Sequence, residues 1–249
     1  MTDTIVQDTQ GCVGIVRLNR PDKRNAFTPD MEQQLRATLE ALDQDPAVKT
    51  LLIVGAGGCF SAGIDLAVLS APGMANQPYD VARQHRFNYI PRLRKPVVAA
   101  IAGPCYGLAA AIALLCDIRH VAEDVKICMP FTRMRGIAEF GLPVTIARVA
   151  GMAKASEWLL TGKVFGSAEA VHSGFAAQAW PAEDFEAQVV QALNEQLQHA
   201  HVESLIAIKG QIWRAFTQSL QDCSEDAGWL MRELRAQAPL AVPAVPGKG

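Results

Sequence analysis

An α/β fold with largely parallel strands is predicted by three features of this 249-residue sequence. Short, wholly apolar segments such as Thr50–Val54 lack the polar alternation of a half-exposed strand, so both faces need cover. Helical stripes alternate with these segments as far as Asp184. Glycine-rich turns, as in Gly55-Ala56-Gly57-Gly58, mark where an apolar strand gives way. Composition agrees: 50% hydrophobic and 19% charged residues exclude disorder for most of the chain. A net charge of −2, from 23 basic and 25 acidic residues, gives no electrostatic reason to expect nucleic acid.

The elements follow in order. Ile5–Val6 and Val13–Leu18 read as a strand pair turning at Gln10-Gly11. Thr28-Pro29-Asp30 starts a helix whose stripe is Met31, Leu35, Leu39 and Leu42, ending before Asp45-Pro46. Thr50–Val54 is a buried strand. Ile90–Arg94 closes a helix, and Val97–Ala102 is the next strand. Leu108–Cys116 reads as a buried helix, Ile118–Ala122 and Val125–Cys128 as strands, and Leu142 to about Val149 as a helix. Phe185, Val189, Leu193 and Leu197 then form one helical stripe, and Leu205, Ile208, Ile212 and Phe216 another. The expected division is a core of residues 1–183 and a helical C-terminal region, 184–249, with a frayed Pro/Gly-rich tail.

Val97 to Cys116 runs twenty residues without a charge, long enough to span a bilayer. Gly103-Pro104 splits it into a strand and a helix, which makes it core. The first residues, MTDTIVQDTQ, lack the basic and apolar regions of a secretory signal. Six cysteines without CxxC spacing read as reduced thiols of a cytoplasmic protein.

Several chemistries fail on spacing. Gly55-Ala56-Gly57 opens a dinucleotide fingerprint, but its sixth position is Phe60, and no phosphate-loop GK[ST] follows. Ser61 lacks the first glycine of a nucleophile elbow. His85, His120, His172, His199 and His201 show no metal spacing, so no metal is expected. Two other segments are informative together. Cys59-Phe60-Ser61-Ala62-Gly63-Ile64-Asp65-Leu66 and Gly103-Pro104-Cys105-Tyr106-Gly107-Leu108 each place backbone N–H groups at a helix start beside a strand end. Two such groups converging on one point form an oxyanion hole, although ordinary tight turns carry the same glycines.

LNRPDKRNAF, FSAGIDL, KPVVAAIAGPCYGLAAAIALLCDI and LTGKVFGSAEAVHSGF, in this order from about Val13 to Trp180, resemble the crotonase family of enoyl-CoA hydratases and isomerases. The resemblance implies a spiral of ββα units with C-terminal helices that assemble a homotrimer or a dimer of trimers. It also implies an acyl-CoA thioester substrate, with coenzyme A entering only as part of it and no separate cofactor. The oxyanion donors implied are the backbone N–H groups of Ile64 and Leu108, after Gly63 and Gly107. Lys23, Arg24 and Ala26 would lie along coenzyme A, with Ala62, Asp65 and Leu66 flanking its path, although Lys23 and Arg24 also read as a solvated turn.

The family's hydratases use two glutamates, because O–H addition and C–H protonation occur at adjacent carbons. The matching positions here are Ala111 and Phe131, which transfer no proton and disfavour ordinary hydration. Glu139, nine residues after Pro130, matches the spacing of the single glutamate in a subset of delta-3,delta-2 enoyl-CoA isomerases. Flanking Ile137, Phe140 and Leu142 are expected to desolvate it and raise its pKa. Glu139 also reads as an acid near the N-terminus of the helix starting about Pro143. Three readings stay open: an isomerase using Glu139, a hydratase-like or thioester-hydrolysing enzyme in which Glu139 orients water, and a non-catalytic acyl-CoA binder. Trp229 and Met231 are expected to pack between subunits or over the acyl tail.

Overall fold

The computed structural model describes residues 3–71 and 81–238. It divides into two compact units, Met1–His199 and Ala200–Gly249. In the first, β1 (Ile5–Gln10) and β2 (Val13–Leu18) form an antiparallel pair. The chain then passes through α1 (Pro29–Gln44) to β3 (Thr50–Gly55) and through the one-turn α2 (Leu66–Leu69) towards β4 (Val97–Ile101). Next come β5 (Pro104–Tyr106), α3 (Leu108–Leu115), β6 (Ile118–Ala122) and β7 (Lys126–Cys128). α4 (Leu142–Thr161), α5 (Ser167–His172), β8 (Gln178–Trp180) and α6 (Phe185–Leu197) complete the unit.

β1, β2, β3, β4, β6 and β8 hydrogen-bond in that order, every pair after the first being parallel. Their apolar runs divide by alternation between two covered faces. Val16, Leu18, Leu51, Ile53, Val97 and Ala99 join the main core with α1 and α3. Val13, Ile15, Leu52, Val54, Val98 and Ala100 pack against Phe185, Val189, Val190 and Leu193 of α6. This second core is why α6 belongs to the first unit, beyond the boundary expected at 183/184. Thr28 caps α1 by accepting the Met31 N–H at 3.3 Å, and Pro29 fits its first turn.

β5 and β7 form a separate parallel pair that continues from the ends of β4 and β6. The long apolar segment is therefore β4, β5 and α3, and no helix of the described residues is long and apolar enough to cross a membrane. α4 runs twelve residues beyond the expected Val149, because Gly151 (φ +79) bends it and lets its second half pack separately. In that half the Trp158 ring stacks on Phe165 with centroids 4.0 Å apart. Phe165 bridges Ile127 of β7, and the next carbonyl, that of Cys128, accepts the Gly107 N–H at 2.9 Å. Packing around α4 thus reaches the turn that precedes α3.

The second unit contains α7 (Val202–Arg214) and α8 (Leu220–Gln237). Arg214 bonds Asp226 at 2.7 Å, and Ser219 with Asp222 forms a capping box at the start of α8. Trp229 and Met231 lie exposed on α8. The tail expected to fray, 239–249, lies outside the described residues.

Glu169 accepts from Lys154 at 2.6 Å, Lys163 at 3.2 Å and Trp158 Nε1 at 3.1 Å. Partial burial pushes its carboxyl up, but these donors outweigh it and bring the pKa from 4.5 to about 2. A carboxyl lowered on folding stabilises the fold above its unfolded value and loses that contribution as pH falls through the folded one. Urea titrations between pH 4.5 and about 2 should therefore show the native protein losing more stability than Glu169→Gln. Equal losses would contradict it.

Candidate active site

The first site turn is held by a loop that precedes it by some forty residues in sequence. Asn25, fully buried at φ +52, donates to the carbonyls of Ala56 at 2.9 Å and Cys59 at 2.6 Å. Its own carbonyl accepts from Ser61 Oγ at 2.8 Å, and that oxygen accepts the Gly63 N–H at 3.0 Å. Ser61 is thus a structural link rather than a nucleophile. The Ala62 N–H donates to the Arg24 carbonyl at 2.9 Å. The Phe27 N–H donates to the Gly63 carbonyl at 2.7 Å, and the Asp65 N–H to the Phe27 carbonyl at 2.9 Å.

Those last two bonds fix Ile64. Its neighbours face Phe27, so by strand alternation its own N–H points to the opposite edge. That edge meets the second turn. The Ser61 N–H donates to the Pro104 carbonyl at 3.0 Å, and the Tyr106 N–H returns to the Ser61 carbonyl at 3.1 Å. A Cβ on Gly63 would lie 3.5 Å from the Leu108 nitrogen. Leu108 is the first residue of α3, where a backbone N–H has no partner within the helix. Among the described residues, neither the Ile64 nor the Leu108 N–H donates to a protein acceptor. Two main-chain donors therefore sit on adjoining turns at the edge of one cleft.

That cleft has a volume of about 740 Å³. Lys23, Ala26, Ala62, Gly63, Ile64, Asp65, Leu66, Gly107, Leu108, Phe131 and Glu139 all line it, drawing most of the residues expected from sequence into one place. Arg24 is the exception. Its left-handed backbone (φ +48) leaves the side chain exposed outside the cleft, and its contribution is the carbonyl that holds Ala62. Asp65 lines the cleft, but its carboxylate is committed to structure. Oδ1 caps α2 through the Ala67 N–H at 3.0 Å, and Oδ2 pairs with Arg20 at 3.0 Å. The Ala67 bond, with Arg20 beside it, holds the Asp65 carboxyl below its ordinary value.

Glu139 is the other carboxylate among the described lining residues. It sits half-buried in the irregular stretch before α4, and Gln84 Nε2 donates to its Oε1 at 2.6 Å. Phe140 and Leu142 beside it are buried, but Ile137 is 69% exposed, since it lies in the irregular segment at the cleft mouth. The desolvation expected from Ile137 is thus missing. Ala111 is buried within α3 and Phe131 forms part of the wall; neither holds a transferable proton. Among the described residues no cluster of histidine, cysteine or carboxylate side chains could hold a metal ion, and all six cysteines are free thiols. His120, buried against Trp180, accepts from its Nε1 at 3.1 Å, and burial lowers its pKa.

Sequence reasoning missed Asn25, Arg20, Gln84 and Arg86. The first two sit in a polar loop whose pattern is that of a solvated turn. The last two reach the site from a segment with little regular structure.

Gly63 combines φ +94 with a Cβ position only 2.6 Å from the Tyr106 carbonyl oxygen. Gly58, at φ +67, has open space where a Cβ would sit. Urea denaturation should show Gly58→Ala losing about 1 kcal/mol from backbone strain, with Gly63→Ala losing at least about 2 kcal/mol more. Equal costs would show that close approach of the two turns is not what requires glycine.

The profile of the enoyl-CoA hydratase/isomerase family matches residues 8–238. The "Probable enoyl-CoA hydratase" of Rhizobium meliloti (strain 1021) is 31% identical over 176 residues, covering 71% of this chain and 68% of that protein. The 4-chlorobenzoyl coenzyme A dehalogenase-2 of an Arthrobacter species is 31% identical over 233 residues, covering 88% and 81%. In fold, the chain is similar to a Thermobifida fusca YX protein described as an enoyl-CoA hydratase and solved with acetoacetyl-CoA. The TM-score there is 0.80 at 24% identity, covering 94% of this chain and 96% of that one. The extent of the profile match, over a ββα-built core with two N–H-bearing turns, places this chain in the enoyl-CoA hydratase/isomerase family.

Proposed function

We propose that the protein is an acyl-CoA isomerase that moves a double bond from the delta-3 to the delta-2 position, with Glu139 as its only acid/base. One observation carries this reading. Of the two carboxylates among the described cleft residues, Asp65 is tied into a helix cap and an ion pair, whereas Glu139 bonds a neutral amide, Gln84, and stands at the spacing of the isomerases' glutamate. A double-bond shift needs one base, because the proton taken from one carbon is returned to another.

In this reading the thioester oxygen lies between the Ile64 and Leu108 N–H groups, with coenzyme A running past Lys23, Ala26, Ala62 and Leu66. Glu139 removes a proton from C2 of the 3-enoyl group. The C–H electrons form a C1–C2 double bond as the carbonyl π pair moves onto the thioester oxygen, giving a dienolate in which C3–C4 is still double. Each main-chain donor aimed at that oxygen stabilises the intermediate by about 3 kcal/mol, the scale found for single oxyanion donors. Protonated Glu139 then delivers the same proton to C4. The C3–C4 pair takes it, the C2–C3 double bond forms and the carbonyl is restored, giving the conjugated 2-enoyl thioester without change of mass. Phe131, Met134 and Phe140 supply an apolar wall that keeps water from the dienolate.

A second reading, in which Glu139 orients water, is favoured by the hydratase and dehalogenase names of the relatives. Product analysis separates the two. Incubation with a 3-enoyl-CoA should raise conjugated-thioester absorbance at constant mass, and Glu139→Gln should lower that rate by at least about 100-fold. A product heavier by one water supports the second reading and overturns the first. Binding without turnover of either 3-enoyl- or 2-enoyl-CoA overturns both and leaves a non-catalytic binder.

A further inference from the structure

Among the described residues five that are not glycine have positive φ, and two of them, Arg135 (φ +54) and Phe140 (φ +56), bracket the stretch that carries Glu139. Arg135 ends the short helical segment Phe131–Met134 in the left-handed region, its N–H donating to the Phe131 carbonyl. The Gly136 N–H donates to the same carbonyl at 2.9 Å, yet Gly136 itself does not adopt the left-handed conformation. The strain thus falls on the arginine and not on the neighbouring glycine, which would bear it freely. A glycine at 135 would close the same turn at less cost. What it would lack is the guanidinium. A segment of four residues also has too small a dipole to call for a cation at its end.

Arg135 lines the cleft, and among the described residues its guanidinium has neither a hydrogen bond nor an ion pair. Arg133, two residues earlier, is used differently: its Nη2 donates to the Thr161 carbonyl of α4 at 3.4 Å. Neither carboxylate of the cleft pairs with Arg135, since Asp65 is held by Arg20 at 3.0 Å and Glu139 by Gln84 at 2.6 Å. The other cations of the cleft are Arg86, paired with Glu32 at 2.8 Å, and Lys23. In the reading proposed above coenzyme A runs past Lys23, so its phosphates meet a cation there. Arg135 stands instead four residues before Glu139, which puts their Cα atoms at most about 14 Å apart. Glu139 acts on C2 and C4 of the acyl group, so Arg135 belongs with the acyl part of the substrate. Its lining neighbours Met134 and Ile137 are apolar, and 53% and 69% exposed. An acyl stem laid on them would take water from the guanidinium and strengthen its pairing with an anion.

We propose that Arg135 selects the substrate: its guanidinium binds a carboxylate at the far end of the acyl group, so the preferred substrates are coenzyme A thioesters of dicarboxylic acids with an apolar stem. This rests on the acyl-CoA reading of the cleft, but not on the isomerase reaction. The planar fork of an arginine offers a carboxylate two parallel N–H donors, a fit that a methyl-ended acyl chain has no means to use.

The test compares the monothioester 3-hexenedioyl-CoA with 3-hexenoyl-CoA, which has the same acyl length but ends in a methyl group. Two variants remove the guanidinium. Arg135→Gly relieves the left-handed strain, and Arg135→Asn keeps a polar side chain that tolerates it. Native protein should isomerise the dicarboxylic thioester with kcat/KM at least about tenfold above that for the methyl-ended one. Both variants should lose this preference through a KM for the dicarboxylic thioester raised about 10- to 100-fold, the methyl-ended one changing less than about twofold. Calorimetric titration with adipoyl-CoA, hexanoyl-CoA and free coenzyme A reads binding without turnover. Only adipoyl-CoA should bind more weakly to the variants. Equal weakening of all three ligands would show that Arg135 meets the phosphates of coenzyme A, and overturns the proposal. Native protein that does not distinguish the two acyl groups, or variants that distinguish them as native does, overturn it while leaving the acyl-CoA reading intact. Failure of all three ligands to bind overturns both. If adipoyl-CoA binding depends on Arg135 while neither 3-enoyl thioester is isomerised, the carboxylate site stands and the isomerase reading falls.

Discussion

The pair of backbone bonds that joins Ser61 to Pro104 and Tyr106 is the constraint on which the site depends. Each turn alone is a common strand-to-helix connection with a few unpartnered N–H groups. Joined, they set the main chain of Gly63 against that of Tyr106 so closely that no side chain fits between them. The remaining features of the site support this junction from either side. Asn25 and Arg20 brace the first turn through the loop before α1. β7, held by Phe165 and the aromatic packing around Trp158, braces the second through the Cys128 carbonyl.

Burial sharpens the effect of that arrangement. The carbonyls and amides that position Ile64 are satisfied by one another, so little polar surface near the junction has to be solvated. A developing negative charge placed there would meet fixed N–H dipoles instead of water that must reorient. The Glu139 carboxylate of the same cleft is supported by different means, a side-chain amide and a strained backbone anchored by aromatic contacts. In the proposed reading, rigid main chain stabilises charge and the Glu139 side chain moves the proton.

Much of this was legible in the sequence because it is local. Apolar runs of five or six residues named the buried strands, and Thr28-Pro29 named the start of α1. The two glycine turns announced their N–H groups, since only backbone position matters there. What stayed hidden depends on distant partners. Nothing around Gln84 signals that it bonds a residue 55 positions away, and Asn25 looks like any polar loop residue until its buried donors are counted. Lys23 and Arg24 are adjacent and alike in charge, yet one lines the cleft and the other does not, because the backbone turns left-handed at Arg24 and Asn25. The length of α4 was hidden for a related reason: Gly151 interrupts its stripe without ending it.

The reliance on main-chain donors also shapes how this site tolerates change. In the proposed reading the functional atom at Ile64 and Leu108 belongs to the peptide unit, which every residue except proline supplies. The side chains there are therefore free to drift, within the packing, without removing a donor. Gly63 carries no functional side chain at all, yet it is fixed by the carbonyl of Tyr106. A map of substitution tolerance across the cleft would run contrary to that of a side-chain active site. Its permissive positions would be the donors themselves, and its intolerant ones the small residues that let two turns of chain touch.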